Sequence, residues 1–347
     1  MTTDETGSGA AAIALVSAPP ACFVSGTRIR TTRGEIAVEA LAVGDLVVTA
    51  AGDARPIVRL GSQTIRKPGR EHLPVRIKAR AFPGDVPRRD LRLSPDHTVC
   101  VRALDEVLVP ISQLINGATV DLADANEVTY WHVELEGHDV LLAEGLGCES
   151  STVAAERHAR PLVERGAVVA VIRQRLHSRA ESMGWRREKG MDPHLIVDGR
   201  RIEPTVDGDL AAFVFPADAR EAILASRTWV PADDGASRDR RTLGLSVRGL
   251  AVLDGLRVDR QIPLDEVPGF HQGEAADGRP WRWTNGQLPL PSRLWADCRG
   301  HVILRLSFAP DAGRSWTAPP RRSREPRRNT LDAGPSGARP GAGPAPG

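Results

Sequence analysis

Three short blocks of sequence carry side chains that could take part in covalent and proton-transfer chemistry. The first, CFVSGTRI, begins at Cys22; the second, LSPDH, ends at His97; the third, WHVELEGHDVLLAEGL, spans residues 131–146 and contains His138. A cysteine thiolate is a strong nucleophile, and an imidazole binds and releases protons near neutral pH. The three blocks could therefore supply a nucleophile and its proton-transfer groups if the fold brings them together.

Each of these residues also has a purely structural interpretation. Cys22 could be a small buried hydrophobic residue. The LSPDH block could be a turn after a strand, because Pro95 disfavours the helical region for the residue before it. His138 stands before a strand and could be solvated. His132 alternates with its neighbour Trp131 and is interpreted as a packed strand residue.

Taken together and in this order, the three blocks resemble the Hint (hedgehog/intein) superfamily. They are most similar to bacterial Hint-type domains that begin with Cys-Phe and carry Ser-Pro-x-His, and the likeness covers about residues 22–151. The resemblance implies a horseshoe-shaped β domain that cleaves its own chain. In that chemistry Cys22 attacks the carbonyl group of the Ala21–Cys22 peptide bond and converts the amide into a thioester.

The resemblance also implies roles for three further residues. His97 would contact the scissile amide, and Ser94, at a position where the family usually has Thr, would hydrogen-bond the same peptide. His138 would serve a second proton transfer. Water, a free thiol or an amine would then resolve the thioester. Such a protein is a single-turnover self-processor and not an enzyme acting on other molecules.

One departure from the family pattern limits this expectation. Splicing inteins end in His-Asn, whereas the corresponding residues 145–151 read GLGCESS and contain no Asn. We therefore expect cleavage before Cys22 without splicing. Cys148 could accept an acyl group, pair with Cys22 or simply be buried. Because the released segment would have only 21 residues, the alternative is a non-catalytic Hint scaffold joined to a carbohydrate-binding or adaptor domain.

The pattern along the chain predicts an all-β protein. We expect a flexible extension (1–21), the Hint-type domain (22–150), a helical connector (151–190), a β-sandwich-like domain (191–318) and a disordered tail (319–347). In the connector, Val168, Ile172 and Leu176 recur at four-residue spacing, which indicates an amphipathic helix, and Gly184 is a plausible stop. The Asp198-Gly199 pair predicts a tight hairpin turn.

The second domain contains a possible carbohydrate-binding pair. Trp281 and Trp283 share one face if they lie on a strand, and flat indole rings can stack on sugars. The alternative is that both pack across the sandwich. His271 and Glu274 could be site residues or an ordinary polar pair in a loop.

Composition excludes several function classes. The net charge is +2, and six of the 46 Lys and Arg residues, but only two of the 44 acidic residues, lie after residue 318. The body is therefore slightly acidic, which argues against a specific nucleic-acid partner. Four scattered cysteines make neither a disulfide framework nor a C-x-x-C zinc site. Neither a metal nor a cofactor is expected.

The start of the chain bears on its location. No run of 18 apolar residues predicts a transmembrane segment. Residues 10–16 are apolar, but the residues before them carry Asp4 and Glu5 and lack the positive charge of a secretory signal. A cytoplasmic location is favoured, with secretion or a cell-surface location as the alternative.

Overall fold

The computed structural model describes residues 21–152, 158–234, 237, 239–276, 278–310 and 313–320. The expected flexible extension, except Ala21, and the expected disordered tail, except its first two residues, lie outside these described residues. All structural statements below refer to the described part of the chain.

Short strands joined by turns make up most of the described structure, and the predicted all-β class is confirmed. The strands of the first half are β1 (Phe23–Val24), β2 (Arg28–Thr31), β3 (Gly34–Ala37), β4 (Leu46–Val48), β5 (Ala54–Pro56), β6 (Arg59–Arg66), β7 (Val75–Ile77), β8 (Leu91–Leu93), β9 (Thr98–Arg102), β10 (Glu106–Pro110), β11 (Val120–Leu122), β12 (Glu127–Leu135), β13 (Val140–Ala143), β14 (Leu146–Glu149) and β15 (Ser151–Thr152). Short 3₁₀ turns occupy Val38–Ala40, Arg70–His72 and Ile111–Leu114.

Two sheets enclose the core of the first half. One has the order β11-β7-β8-β1-β12-β15, with β6 also paired to β12. The other has the order β10-β9-β14-β13-β2-β4-β5, with β3 paired to β2. Side chains such as Phe23, Ile29, Leu93 and Leu141 are fully buried between them. Because β1 is central in its sheet, the residue just before it is held between β8 and β12.

A two-residue hairpin connects β13 to β14 and sets the course of the chain towards β15. Glu144 and Gly145 both have positive φ, 51° and 86°. Two successive positive φ values are typical of a type I′ turn, in which glycine is readily accommodated. The buried Glu144 carboxylate accepts hydrogen bonds from the Arg28 backbone and, at two oxygens, from Arg89, which fixes the turn.

Replacing Gly147 with alanine is expected to destabilise the fold by about 1–3 kcal/mol, because it overpacks β14. A Cβ atom at Gly147 would lie 3.0 Å from Val140 Cγ1 and 3.2 Å from Cys100 Cβ. Gly137 is the matched control, since a Cβ atom there has no neighbour within 4 Å. Urea unfolding of the two variants measures the difference. Equal stabilities would contradict the close packing of β14.

The helix of the connector is α1 (Ala167–Ser182), and it ends just before Gly184, as predicted. Its buried residues are Val169, Ile172, Leu176 and Ala180, and the first three join the core of the first half. The prediction was wrong for Val168, which is 37% exposed. Residues spaced four apart advance about 40° per step around an α-helix, so a strict four-residue series drifts off the buried face. Val169, and not Val168, therefore lies in the apolar stripe.

The second half is a sandwich of two antiparallel sheets. Its strands are β16 (Arg186–Lys189), β17 (His194–Val197), β18 (Arg200–Ile202), β19 (Thr205–Asp207), β20 (Leu210–Pro216), β21 (Ala222–Ala225), β22 (Ser246–Leu253), β23 (Asp259–Ile262), β24 (Glu274–Ala276), β25 (Arg279–Trp283), β26 (Gln287–Leu290), β27 (His301–Phe308) and β28 (Arg314–Thr317), with 3₁₀ turns at Pro231–Asp234 and Ser292–Leu294. The sheet β18-β17-β21-β26 faces the sheet β19-β20-β27-β22-β25-β24, in which β23 also pairs with β22. Phe213, Leu224 and Leu304 are buried between them.

Two further features complete the fold. β16, at the end of the connector, pairs with β28 near the end of the described chain. Asp198 and Gly199 both have positive φ and form the tight turn that the sequence predicted between β17 and β18. None of the described helices combines the length and the apolar character that a membrane crossing requires.

Candidate active site

The register of β1 against β12 places Cys22 beside His132. The two strands are antiparallel, with Phe23 opposite Trp131 and Val24 opposite Tyr130. Continuing this register by one residue brings Cys22 opposite His132, and Cys22 Sγ lies 3.9 Å from His132 Nδ1. This contact joins residues 110 positions apart in the chain. His132 is thus a neighbour of the thiol and not merely a packed strand residue.

Ser94 holds the backbone of Cys22 on the opposite side. The Cys22 N–H donates to Ser94 Oγ at 2.9 Å, and the Ser94 N–H donates to the Cys22 carbonyl oxygen at 3.0 Å. Ser94 is fully buried and follows β8, which pairs with β1. The amide N–H of the Ala21–Cys22 bond therefore has its acceptor in Ser94.

A buried carboxylate orients the His132 ring. Glu134 is 2% exposed, and its Oε1 lies 2.7 Å from His132 Nε2 and 2.8 Å from Arg59 Nη2. A carboxylate paired with an arginine accepts hydrogen bonds and does not donate them, so Nε2 is the protonated nitrogen of the neutral ring. Nδ1 is then the unprotonated nitrogen, and it faces Cys22. This Cys-His-Glu series can accept the thiol proton.

Burial makes such a base necessary. Cys22 is 4% exposed and packs with Val128 and Tyr130. Loss of solvation raises the pKa of the Cys22 thiol to about 12. The thiol is therefore protonated at neutral pH, and nucleophilic attack requires that its proton be removed by a neighbouring group.

Ser151 brings a hydroxyl group to the same peptide bond. β15 runs parallel to β12, with Ser151 opposite Glu134. Ser151 Oγ lies 3.2 Å from His132 Nδ1 and 3.5 Å from the Ala21 carbonyl oxygen. The hydroxyl thus stands between the imidazole and the carbonyl group that Cys22 would attack.

His97 is completely buried behind β1. Its ring stacks edge-on against Phe23 with centroids 4.6 Å apart, and neither ring nitrogen has a well-formed hydrogen bond within the described residues. Loss of solvation lowers the pKa of His97 to about 4, although backbone groups of Cys22 and Glu149 and the Glu149 carboxylate oppose the shift. His97 is therefore near the Cys22 backbone, while the scissile N–H itself is bound by Ser94.

His138 lies beside the strand that follows the site. Its Nδ1 is 2.9 Å from the Ser150 carbonyl oxygen and 3.6 Å from Glu149 Oε1. Glu149 is buried and also accepts from Thr98 Oγ1 and the Ala159 N–H. The sequence assigned His138 to a second proton transfer, and the structure places it at the Ser150 peptide and not at Ala21.

Comparison with known proteins bears on the same segment. Residues 21–155 match the family model described as Hint domain. These residues form a Hint domain. The predicted resemblance is thereby confirmed for this part of the chain.

Three solved structures similar to this chain are inteins or intein-like. They are the bacterial intein-like domain from Clostridium thermocellum (14% identity, TM-score 0.28, covering 38% of this chain and 98% of that one), the gp41-1 intein (14%, 0.28, 38% and 98%) and the MchDnaB-1 intein (15%, 0.27, 37% and 99%). No curated protein matches the chain.

Three residues of the candidate site were missed from the sequence. His132 was interpreted as a packing residue, and Glu134 and Ser151 had no assigned role. The alternation of β12 contained part of the signal, because residues two apart on a strand share a face, so His132 and Glu134 had to be neighbours. Their contact with Cys22 depends on a pairing between distant strands.

Cys148 is fully buried, in agreement with the structural alternative. Among the described residues there is no group of three His, Cys, Asp or Glu side chains that could hold a metal ion. A cleft of about 1410 Å³ is lined by residues of both halves, including Arg173, Trp229 and Trp316, but by neither Cys22 nor His132.

The tryptophan pair of the second half lies on β25. Trp283 packs edge-on against Trp229 with centroids 6.4 Å apart, and its Nε1 donates to Glu274 at 3.3 Å. Trp281 is half-buried, and its Nε1 has no hydrogen-bond partner within the part of the chain described. His271 bonds the Thr242 carbonyl oxygen. A role of Trp281 and Trp283 in binding carbohydrate stays a prediction.

Proposed function

We propose that the Hint domain cleaves its own chain at Ala21–Cys22 through an N–S acyl shift and a thioester, without splicing. The observation that carries the proposal is that three groups converge on this one peptide bond. His132 Nδ1 faces the Cys22 thiol, Ser94 binds the amide N–H, and the Ser151 hydroxyl faces the Ala21 carbonyl oxygen.

The bond changes follow from these contacts. His132 Nδ1 takes the thiol proton, and Cys22 Sγ attacks the Ala21 carbonyl carbon. The sulfur–carbon bond forms, the carbon–nitrogen bond breaks, and the proton passes from His132 to the Cys22 nitrogen. The Ser151 hydroxyl donates to the oxygen atom on which negative charge develops, as an oxyanion-hole group does. Because the peptide consumed belongs to the protein itself, each molecule reacts once.

In this scheme His97 does not carry the proton. With a pKa of about 4 the His97 ring is almost entirely neutral at pH 7, so the protonated form that a general acid needs is scarcely populated. It can, however, donate a ring N–H to the backbone beside Cys22. His132 is the group that accepts and returns the proton. Water, a thiol or an amine then takes the acyl group from the thioester.

The test is mass spectrometry of the intact full chain incubated with and without a strong thiol. We expect the thiol to release residues 1–21 and leave a product that begins at Cys22. Cys22→Ala should give no such product, because it removes the nucleophile. Cys100→Ala is the matched control, since Cys100 is a partly buried thiol on β9, and it should process like the native chain.

Full-length protein that persists in the native chain with thiol would overturn this proposal. The Hint domain would then be a non-catalytic scaffold for the second half. Binding of the full chain to a glycan array, lost in Trp281→Ala, would support the carbohydrate-binding alternative in that case.

A further inference from the structure

The peptide bond between Ser150 and Ser151 has a set of neighbours similar to that of Ala21–Cys22. A hydroxyl group follows the bond, and His132 Nδ1 lies 3.2 Å from that hydroxyl. On the other side of the bond, His138 Nδ1 lies 2.9 Å from the Ser150 carbonyl oxygen. A nucleophile, a base and a donor to the carbonyl oxygen are therefore in place at this second bond.

We propose that Ser150–Ser151 is a second self-cleavage site, at which the Ser151 hydroxyl attacks the Ser150 carbonyl carbon. The Oγ–carbon bond forms through a five-membered ring and the carbon–nitrogen bond of the peptide breaks. His132 Nδ1 takes the hydroxyl proton and returns it to the Ser151 nitrogen. The product is an ester, which water hydrolyses to a carboxylate on Ser150 and a free amino group on Ser151. No asparagine is required.

The hydrogen bonds of His138 fix its role at this bond. Its Nδ1 faces the Ser150 carbonyl oxygen and, at 3.6 Å, Glu149 Oε1, both of which are acceptors. Nδ1 must therefore carry the proton and donate it towards the oxygen that becomes negative during attack. Glu149 is itself fixed by Thr98, Ala159 and His158.

The surroundings hold the bond in one conformation. The Ser150 N–H donates to the Asp139 carbonyl oxygen, and the Asp139 N–H donates to Ser150 Oγ. Ser150 is fully buried and Ser151 is 8% exposed. Hydroxylamine is a stronger nucleophile than water, so we expect it to capture the ester before water hydrolyses it.

The test uses the full chain carrying Cys22→Ala, incubated with neutral hydroxylamine and followed by intact mass spectrometry. We expect two fragments, residues 1–150 as the hydroxamate and residues 151–347 beginning at Ser151. Without Cys22 no thioester forms at Ala21, so this result does not depend on the proposed cleavage before Cys22. Failure of one reaction leaves the other measurable.

Variants of the same Cys22→Ala chain assign the roles. Ser151→Ala should abolish the fragment, and Ser151→Thr should retain it. His138→Ala should slow its release by about 10²–10³-fold, the usual effect of removing one donor to the reacting oxygen. His194→Ala is the control, since His194 lies on β17 in the second half, where its Nδ1 is 2.9 Å from the Asp192 carbonyl oxygen. Circular dichroism confirms that each variant is folded.

Two results would overturn the proposal. One is folded Cys22→Ala protein that yields no fragment beginning at Ser151 after hydroxylamine treatment. The other is Cys22→Ala protein from which hydroxylamine releases only residues 1–21, because the Ala21 acyl group would then have passed to the Ser151 hydroxyl, which lies 3.5 Å from the Ala21 carbonyl oxygen.

Discussion

Replacing His132 with alanine is expected to slow thiol-induced cleavage at Ala21–Cys22 by about 10²–10⁴-fold, the usual contribution of a positioned general base. The pKa of the Cys22 thiol is about 12, and His132 Nδ1 is the base beside it. Glu134 keeps its ion pair with Arg59 in the variant, so the fold should be retained. The rate of appearance of the product that begins at Cys22 measures the effect.

The pH dependence of the cleavage rate distinguishes loss of the general base from disruption of the fold. Without His132, attack requires that the Cys22 thiol lose its proton to the solvent. The fraction of Cys22 thiolate rises about tenfold per pH unit below the pKa of the thiol. The variant rate should therefore rise with this slope between about pH 7 and pH 10, and added imidazole should restore part of it. His194→Ala, which alters an imidazole on β17, is the control. A His132→Ala rate within about threefold of the native rate would contradict the assignment.

Features that depend on neighbouring residues could be predicted from the sequence. The Asp198-Gly199 turn follows from the ease with which Gly adopts positive φ. The end of α1 before Gly184 follows from the same property. Ser94 could also be assigned, because its block has a recognisable order of residues. Ser94 Oγ accepts a hydrogen bond from the Cys22 N–H, and its role in cleavage stays a prediction.

Features that depend on pairing between distant strands could not be predicted. His132 and Ser151 meet at the Ala21–Cys22 peptide bond only because β12 lies between β1 and β15. A single sequence fixes which residues share a face of β12, but it does not say which strand lies beside it. The burial of His97 was also missed, because a Ser-Pro-Asp turn gives no sign that the imidazole after it lacks solvent.

The burial of His97 predicts that the free energy of unfolding decreases in acid. The expected decrease is up to about 3 kcal/mol. The folded-state pKa of His97 is about 4, below its ordinary value of 6.5. Between these values the unfolded chain binds a proton that the folded protein does not, so stability is complete above about pH 6.5 and falls as the pH decreases towards 4. His97→Leu should remove this contribution, and urea unfolding at about pH 7 and pH 4.5 measures it.

The His97→Leu variant also distinguishes a packing role of His97 from a catalytic role. His177 also has a lowered pKa from burial, but it is present in both proteins and cancels in the comparison. His301→Leu, an exposed position on β27, should keep the native acid dependence. An unchanged pH slope in His97→Leu would contradict the burial of a neutral imidazole. If His97→Leu is stable at pH 7 and still cleaves at Ala21–Cys22 at the native rate, His97 supports β1 through its contact with Phe23, and Ser94 and His132 are sufficient for the chemistry.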